Sequence, residues 1–112
     1  MARPPAVFDV FSAIGHPRRR EIMRLLASED RVVSDLVNAL GVSQSTVSEH
    51  LAALKAVGLV GSSKRGRERL HHLDAGPLRD VTDWIAALDE FWTERIDRLG
   101  HVLESIHEEN VQ

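Results

Sequence analysis

The sequence predicts a mainly α-helical fold of about five helices with one small β-hairpin, and three observations lead to this prediction. Two short helical patterns joined by a tight turn occupy residues 34–56. A basic segment centred on a glycine follows, with a strand pattern on either side of it. An apolar pattern at helical spacing then continues to residue 106. The 112 residues fit one domain, residues 1–112, with a modest core.

The pair of short helices is marked by residues suited to helix ends. Ser34 is a good N-cap for the first helix, and Gly41 stands where the chain needs a residue that tolerates positive φ. Ser43 is predicted to cap the second helix, which we expect to run from residue 44 to residue 56. The spacing therefore predicts a helix-turn-helix.

The second helix has one apolar face and one small, polar face. Val47, Leu51 and Leu54 recur at i, i+4 and i+7 and form a single stripe. A small polar face lets a helix approach another surface closely, as the second helix of a helix-turn-helix does in the DNA major groove. A helical hairpin whose polar face is only solvated is the alternative. The candidate DNA-binding residues of this motif are Ser43, Gln44, Ser45, Thr46, Ser48, Glu49, His50 and Lys55.

A β-hairpin with a basic tip is predicted next, which makes the motif a winged helix-turn-helix. The first strand begins near Val60, Gly66 lies at the turn, and residues 31–33 are a candidate third strand. Alternation places Leu70 inward and His71 on the opposite face. Basic tips suit phosphates or the narrow minor groove, although such residues also protect sheet edges. The candidate DNA-binding residues here are Lys64, Arg65, Arg67 and Arg69.

Three stretches carry a resemblance to a known family. SDLVNALGVSQSTVSEHLAALKAVGLV and the upstream IGHPRRREIMRLL resemble the ArsR-type (arsenic-repressor-like) bacterial transcription regulators, over residues 7–74. The tail WIAALDEFWTERIDRL resembles a subgroup that ends in a long dimerisation helix and lacks a metal-binding signature. The resemblance implies a homodimer that binds an inverted-repeat operator in double-stranded DNA. Where metal-sensing relatives carry cysteines this chain has Val32 and Ser34, so that metal site is expected to be absent.

Two helices are predicted before the helix-turn-helix. Residues 7–14 have apolar residues at helical spacing, so a first helix should end near Gly15. The resemblance implies that it packs on the partner subunit, while packing on its own core is equally open. Pro17 begins the next helix, whose first turn carries Arg18, Arg19 and Arg20. The helix dipole disfavours cations there, so either phosphate contact, a charge across the dimer or a solvated face must explain them.

The last predicted helix begins at Pro77 and extends to residue 108. Its apolar face is longer than so small a domain can cover, and a twofold dimer would bury it against itself. We therefore expect a DNA-binding core and wing over residues 7–74 and a dimerisation helix over residues 77–108. The candidate dimer-interface residues, two of them from the first helix, are Phe8, Phe11, Trp84, Leu88, Phe91, Trp92, Ile96, Leu99 and Leu103.

Composition and charge narrow the class of protein. The net charge is −3, but residues 1–73 hold 11 Lys/Arg against 7 Asp/Glu, and residues 74–112 hold 3 against 10. The net charge of the first part is therefore +4 and that of the second part is −7, as expected for a basic DNA-binding half and an acidic scaffold half. The absence of cysteine and of a long apolar run predicts a cytoplasmic protein with no membrane span and no cofactor.

The histidines raise a second hypothesis. His101, Glu104, His107 and Glu108 share part of one helix face and could bind a metal across two chains, although a polar helix end is the explanation we favour. No nucleophile–base pair or phosphate-binding glycine loop is present, so we predict no enzyme and no catalytic residue.

The interpretation that accounts for most of these patterns is a homodimeric, sequence-specific DNA-binding repressor. A metal- or ligand-responsive repressor and a winged-helix protein–protein adaptor are the alternatives. The operator, the regulated genes, any inducer and the choice between repression and activation stay open.

Overall fold

The computed structural model describes residues 7–110, with side chains given up to His107. The chain divides at Asp80 into two compact units. Four helices and a hairpin belong to the first unit, and one long helix forms the second, so the predicted fold class is confirmed. In chain order the elements are α1 (Val10–Ile14), α2 (Pro17–Ser28), α3 (Val33–Leu40), α4 (Gln44–Ala56), β1 (Val60–Arg65), β2 (Glu68–Leu73), a 3-10 turn (Gly76–Leu78) and α5 (Arg79–Asn110).

The hydrophobic core lies in the first unit. The stripe predicted on α4, formed by Val47, Leu51 and Leu54, is buried, and it packs with apolar residues of α2, α3 and the first strand. Burial of such side chains stabilises the fold by roughly 1.5–3 kcal/mol each. The buried apolar residues are Val10, Ala13, Ile22, Leu26, Leu36, Val47, Leu51, Leu54, Leu59 and Val60.

The turn between α3 and α4 follows the sequence prediction at Gly41 and Ser43 but not at Ser34. Gly41 has φ 68°, and the Ser43 side chain accepts a hydrogen bond from the Thr46 N–H at the start of α4. Ser34 was predicted to cap α3, and this prediction is wrong. The N-cap is Val32, two residues earlier, because the Val32 carbonyl accepts from the Asp35 N–H and the Ser34 backbone is already helical.

The first helix is shorter than predicted. Asp9 caps it by accepting a hydrogen bond from the Ser12 N–H at 3.0 Å, so Val7 and Phe8 precede the helix and do not form its first turn. Its end at Ile14, just before Gly15, agrees with the prediction. The α2 helix has Pro17 in its first turn as expected, and the His16 side chain caps it.

The hairpin of β1 and β2, which we call the wing (residues 60–73), has the predicted antiparallel arrangement. Gly66 lies in the turn with φ 63°, a conformation that residues with a Cβ rarely adopt. The predicted third strand is reduced to one residue. Arg31 exchanges two backbone hydrogen bonds with His71, of 3.0 and 2.8 Å, and Val33 already belongs to α3.

The long α5 helix begins at Arg79, two residues later than predicted, because Pro77 lies in the 3-10 turn that precedes it. Its large apolar side chains, Trp84 to Ile106, are all 45–62 % exposed in the single chain. None of the helices that the structure describes combines the length and apolar character needed to span a bilayer.

Candidate nucleic-acid interface

The start of α4 presents a cluster of hydroxyl groups. The Ser43 hydroxyl lies 3.1 Å from the Ser45 hydroxyl and 2.8 Å from that of Thr46, and it also accepts from the Thr46 N–H at 3.2 Å. Ser45 is exposed, whereas Thr46 is half-buried. A capped helix N-terminus with exposed hydroxyls is suited to hydrogen-bond phosphate oxygens or base edges.

The outward face of α4 is made of small and polar residues. Ser45 and Glu49 lie opposite the buried stripe, and Gln44, Ser48 and Lys55 lie closer to its edge. All five are exposed, and the small Ala52 and Ala56 are exposed between them. Hydroxyl and amide groups can pair with bases, while Glu49 could accept only from a donor such as the cytosine amino group. These five residues belong to the predicted DNA-binding set.

The wing carries cations that form no salt bridge with the described residues, although Glu68 stands opposite Arg65 in the strand register. Lys64 and Arg69 face each other across the strands, and like charges in that register repel. Among residues 7–107 no carboxylate lies within salt-bridge distance, 4.0 Å, of any predicted DNA-binding cation. An external anion would relieve the repulsion. These cations are Lys55, Lys64, Arg65, Arg67 and Arg69.

The two faces of the wing are arranged differently from the prediction. His71, not Leu70, is the inward residue: His71 is 4 % exposed, and Leu70 is only half-buried. The reason is that β2 packs on α2 and α3, and His71 lies on the face of β2 that these helices cover. The Ser62–His71 and Lys64–Arg69 pairs share a face, so the basic pair continues the core-facing side of the wing toward its tip.

A cleft of about 660 Å³ lies between α3, α4 and the wing, and we call it the α4–wing cleft. It brings together five residues that were predicted separately on the helix and the hairpin. Apolar residues of α3 and α4 form much of its remaining wall. The five are Gln44, Ser48, Lys55, Arg67 and Arg69.

His50 stands apart from the other predicted DNA-binding residues. Its ring is half-buried, its Nδ1 accepts a hydrogen bond from the Arg19 Nε at 3.3 Å, and its centroid lies 4.5 Å from that of His16. The contact joins α4 to the start of α2. The Arg19 guanidinium also stands over the Phe8 ring, 5.7 Å from its centroid. The structure thus gives His50 a packing role between two helices.

The other arginines at the start of α2 also have partners inside the protein. Arg18 pairs with Glu21 at 3.3 Å, and Arg20 donates to the Ile14 carbonyl at 2.9 Å. These contacts, with the Arg19 bond to His50, explain why three cations are tolerated in a first helical turn. They contrast with the wing cations, which have no such partners among the described residues.

Two histidines should make the stability of the fold depend on pH. Burial, then the neighbouring His16 ring and the positive charge of Arg19, lower the pKa of His50. Burial, then the charges of Lys55 and Arg69, lower the pKa of His71. Because the unfolded chain keeps the ordinary histidine pKa of about 6.5, it binds protons more readily than the folded chain.

We therefore expect the free energy of unfolding to fall as pH drops below about 6.5, and to level off below the lowered folded-state pKa values. Urea denaturation between pH 5 and pH 8 measures this. A variant with His50→Gln and His71→Gln should show a flatter profile, and His101→Gln, at an exposed position, should not. If the free energy of unfolding depended on pH identically in the wild type and the double variant, the pH dependence could not be assigned to His50 and His71.

The suggested metal-binding group on α5 is not assembled among the described residues of a single chain. His101 Nδ1 lies 3.9 Å from a Glu104 oxygen, and both side chains are exposed. Within the part of the chain that the structure describes, no three histidine or acidic side chains are placed to hold a metal ion. Glu108, the fourth candidate, has its side chain outside that part.

Comparison with known proteins agrees with this architecture. Residues 16–62 match the profile of the bacterial regulatory protein, arsR family. The chain is 30% identical over 77 residues to the transcriptional repressor SdpR of Bacillus subtilis, covering 69% of this chain and 86% of that protein.

Two solved structures extend the comparison. An ArsR-like transcriptional regulator from Rhodococcus sp. RHA1 superposes with a TM-score of 0.69 at 32% identity, covering 86% of this chain and 88% of that one. The homodimeric winged helix-turn-helix DNA-binding domain of Mb0332 from Mycobacterium bovis superposes with a TM-score of 0.54 at 31% sequence identity, covering 77% of each chain. The chain therefore belongs to the ArsR family of bacterial regulatory proteins and is a DNA-binding transcriptional regulator with a winged helix-turn-helix fold.

Proposed function

We propose that the protein is a homodimeric repressor that binds a short inverted repeat in double-stranded DNA through α4 and the wing. One observation carries this proposal: the exposed polar face of α4 and cations without carboxylate partners among residues 7–107 meet around a single cleft. Unpaired cations beside a capped helix N-terminus fit a polyanion that is read in its major groove. The sequence likeness to a transcriptional repressor supports repression.

The helix α4 and the wing have different tasks in this proposal. Ser45, Ser48 and Gln44 would meet base edges and nearby phosphates, because they lie in the first turns of the helix that enters the groove. Lys64 and Arg65 near the wing tip would bind flanking phosphates or the minor groove. Bound operator would exclude RNA polymerase from the promoter.

The dimer would form through the apolar side of α5. Ten large apolar side chains of α5 are at least 45% exposed in the single chain, which is more than a water-facing helix ordinarily shows. Phe8 and Phe11, 47% and 38% exposed, are further candidates. The homodimeric state of the Mycobacterium bovis relative supports the same assembly here. Residues 7–74 would then form the DNA-binding part and residues 77–108 the dimerisation helix, and a cytoplasmic location follows from the role on DNA.

We expect neutralisation of the wing to weaken DNA binding without changing its sequence preference. In Arg65→Gln with Arg67→Gln, the affinities for the operator and for a random duplex should fall alike. The slope of log affinity against log salt should shrink by about one for each phosphate that the variant no longer binds. Fluorescence anisotropy with labelled duplexes at several salt concentrations measures both quantities.

A matched variant separates this effect from a simple change of net charge. Arg24→Gln with Arg98→Gln removes two cations from exposed positions outside the predicted DNA-binding set. This control should keep nearly the wild-type salt slope. Loss of operator affinity alone in the wing variant would mean that the wing reads bases. Salt-independent binding by the wild type would favour a protein–protein adaptor instead.

A further inference from the structure

The α4–wing cleft has properties that DNA binding does not require. Its volume, about 660 Å³, lies in the range of 300–1,000 Å³ that is typical of small-molecule sites. Its walls include Val33 and Val37 from α3 and Leu51 from α4. A phosphate of the DNA backbone remains hydrated and gains nothing from apolar walls, whereas an organic ligand does.

The polar groups of the cleft converge near one histidine. His71 lines it, is 4 % exposed, and its Nδ1 has no hydrogen-bond partner among the described residues. An unsatisfied buried ring nitrogen is costly and rare in folded proteins. The positive charges of Lys55 and Arg69 act on this ring, and neither has a carboxylate partner within the described part of the chain. The cleft thus offers three cations, Lys55, Arg67 and Arg69, against one carboxylate, Glu68, together with one unsatisfied imidazole beside apolar walls.

We propose that the α4–wing cleft binds a small organic carboxylate with an apolar body, and that the bound acid weakens DNA binding. The carboxylate would pair with Lys55 and Arg69 and meet the His71 ring, while its apolar body would cover the valines of α3. The regulatory half of this inference rests on the proposed function. Gln44, Ser48, Lys55 and Arg69 line the cleft and are also predicted to bind DNA, so acid and operator would compete for them.

The first test uses the free protein, without DNA. Phenylacetate is titrated at millimolar concentrations while the ring resonances of His71 are followed by NMR, with phenylacetamide and inorganic phosphate as matched probes. We expect a saturable shift with phenylacetate, binding at least about tenfold weaker with phenylacetamide, and no shift of the ring with phosphate. Phosphate that shifts the ring as strongly as phenylacetate, or phenylacetate without saturation, would overturn the proposal.

Variants that fill the cleft test the location of the site. Val37→Phe and Val33→Phe enlarge two different wall residues that are outside the predicted DNA-binding set, so one can replace the other if folding suffers. Either folded variant should lose the phenylacetate shift and keep operator affinity within about threefold. A variant that binds phenylacetate like the wild type would contradict the site.

The last experiment measures whether a ligand bound in the cleft changes the affinity for DNA. Phenylacetate should raise the apparent Kd for the operator in the wild type and leave it unchanged in Val37→Phe. Binding to the free protein with no effect on Kd would refute the regulatory half. Because the titration needs no DNA, failure of operator binding itself would count against the proposed function and leave the ligand site supported.

Discussion

Leu99→Asp is expected to convert the dimer into monomers or aggregates and to abolish tight operator binding. Leu99 is 57% exposed in the single chain and lies on the apolar side of α5 that we assign to the dimer. In a twofold interface the new carboxylate is buried without a partner once in each subunit, at a cost of at least about 2 kcal/mol each. Analytical ultracentrifugation gives the oligomeric state, and anisotropy with an operator duplex gives the affinity.

Affinity should fall although Leu99 touches no DNA in this proposal. Two half-sites about one helical turn apart are held tightly only when the two α4 helices are fixed relative to each other. Trp92→Asp should act in the same way, and Thr93→Asp, at an exposed polar position of α5, should leave a dimer that binds normally. A folded Leu99→Asp dimer that still binds operator would place the dimer interface elsewhere.

Ser45→Glu is expected to reduce operator affinity by at least about 30-fold while the fold stays intact. Ser45 is exposed in the first turn of α4, so the new carboxylate would face phosphates and base acceptors. A weakening of about 1–3 kcal/mol at each recognition helix applies twice in a dimer. The carboxylate suits the positive end of the helix dipole, so stability should not suffer. A gel-shift titration measures the change in affinity.

The control for Ser45→Glu introduces the same charge elsewhere. Ala27→Glu adds a glutamate at an exposed position of α2 outside the predicted DNA-binding set. It should bind operator nearly as the wild type does. Unchanged affinity of Ser45→Glu would remove α4 from the major groove and would require another element to recognise the DNA.

The helix-turn-helix could be predicted from sequence because its boundaries depend on local chemistry. Gly41 adopts the positive φ that only glycine reaches easily, and the Ser43 hydroxyl caps a helix whose limits, Gln44–Ala56, agree with the prediction. The buried stripe followed from its period. These features need no knowledge of distant parts of the chain.

Other features depend on long-range contacts, and there the sequence was insufficient. The third strand is reduced to the bridge between Arg31 and His71, α3 begins ahead of Ser34, and His71 faces inward. Strand alternation shows which residues share a face but not which face is buried. The register of β1 and β2 pairs Ser62 with His71, on the same face as the buried Val60. This register would have indicated that His71 faces inward, and it was overlooked in the sequence analysis.

The basic residues at the start of α2 and those of the wing differ in whether they have partners inside the protein, and the composition did not indicate this difference. The three arginines in the first turn of α2 have partners inside the protein, whereas the cations of the wing have no carboxylate partner within the described residues. Both groups look alike in sequence, because a partner 31 residues away, such as His50 for Arg19, leaves no local pattern. The α4–wing cleft is equally invisible in the sequence, since three separate elements form it.

Footprinting on the DNA upstream of the gene for this protein tests the central claim most directly, because it shows whether the protein protects a defined sequence and how the protected bases are arranged. The account predicts protection of an inverted repeat whose half-sites are centred about one helical turn apart, on one face of the duplex. Protection should disappear with Ser45→Glu and persist with Ala27→Glu. Protection that extends evenly along the fragment, with no repeat and the same pattern in both variants, would contradict sequence-specific binding by α4.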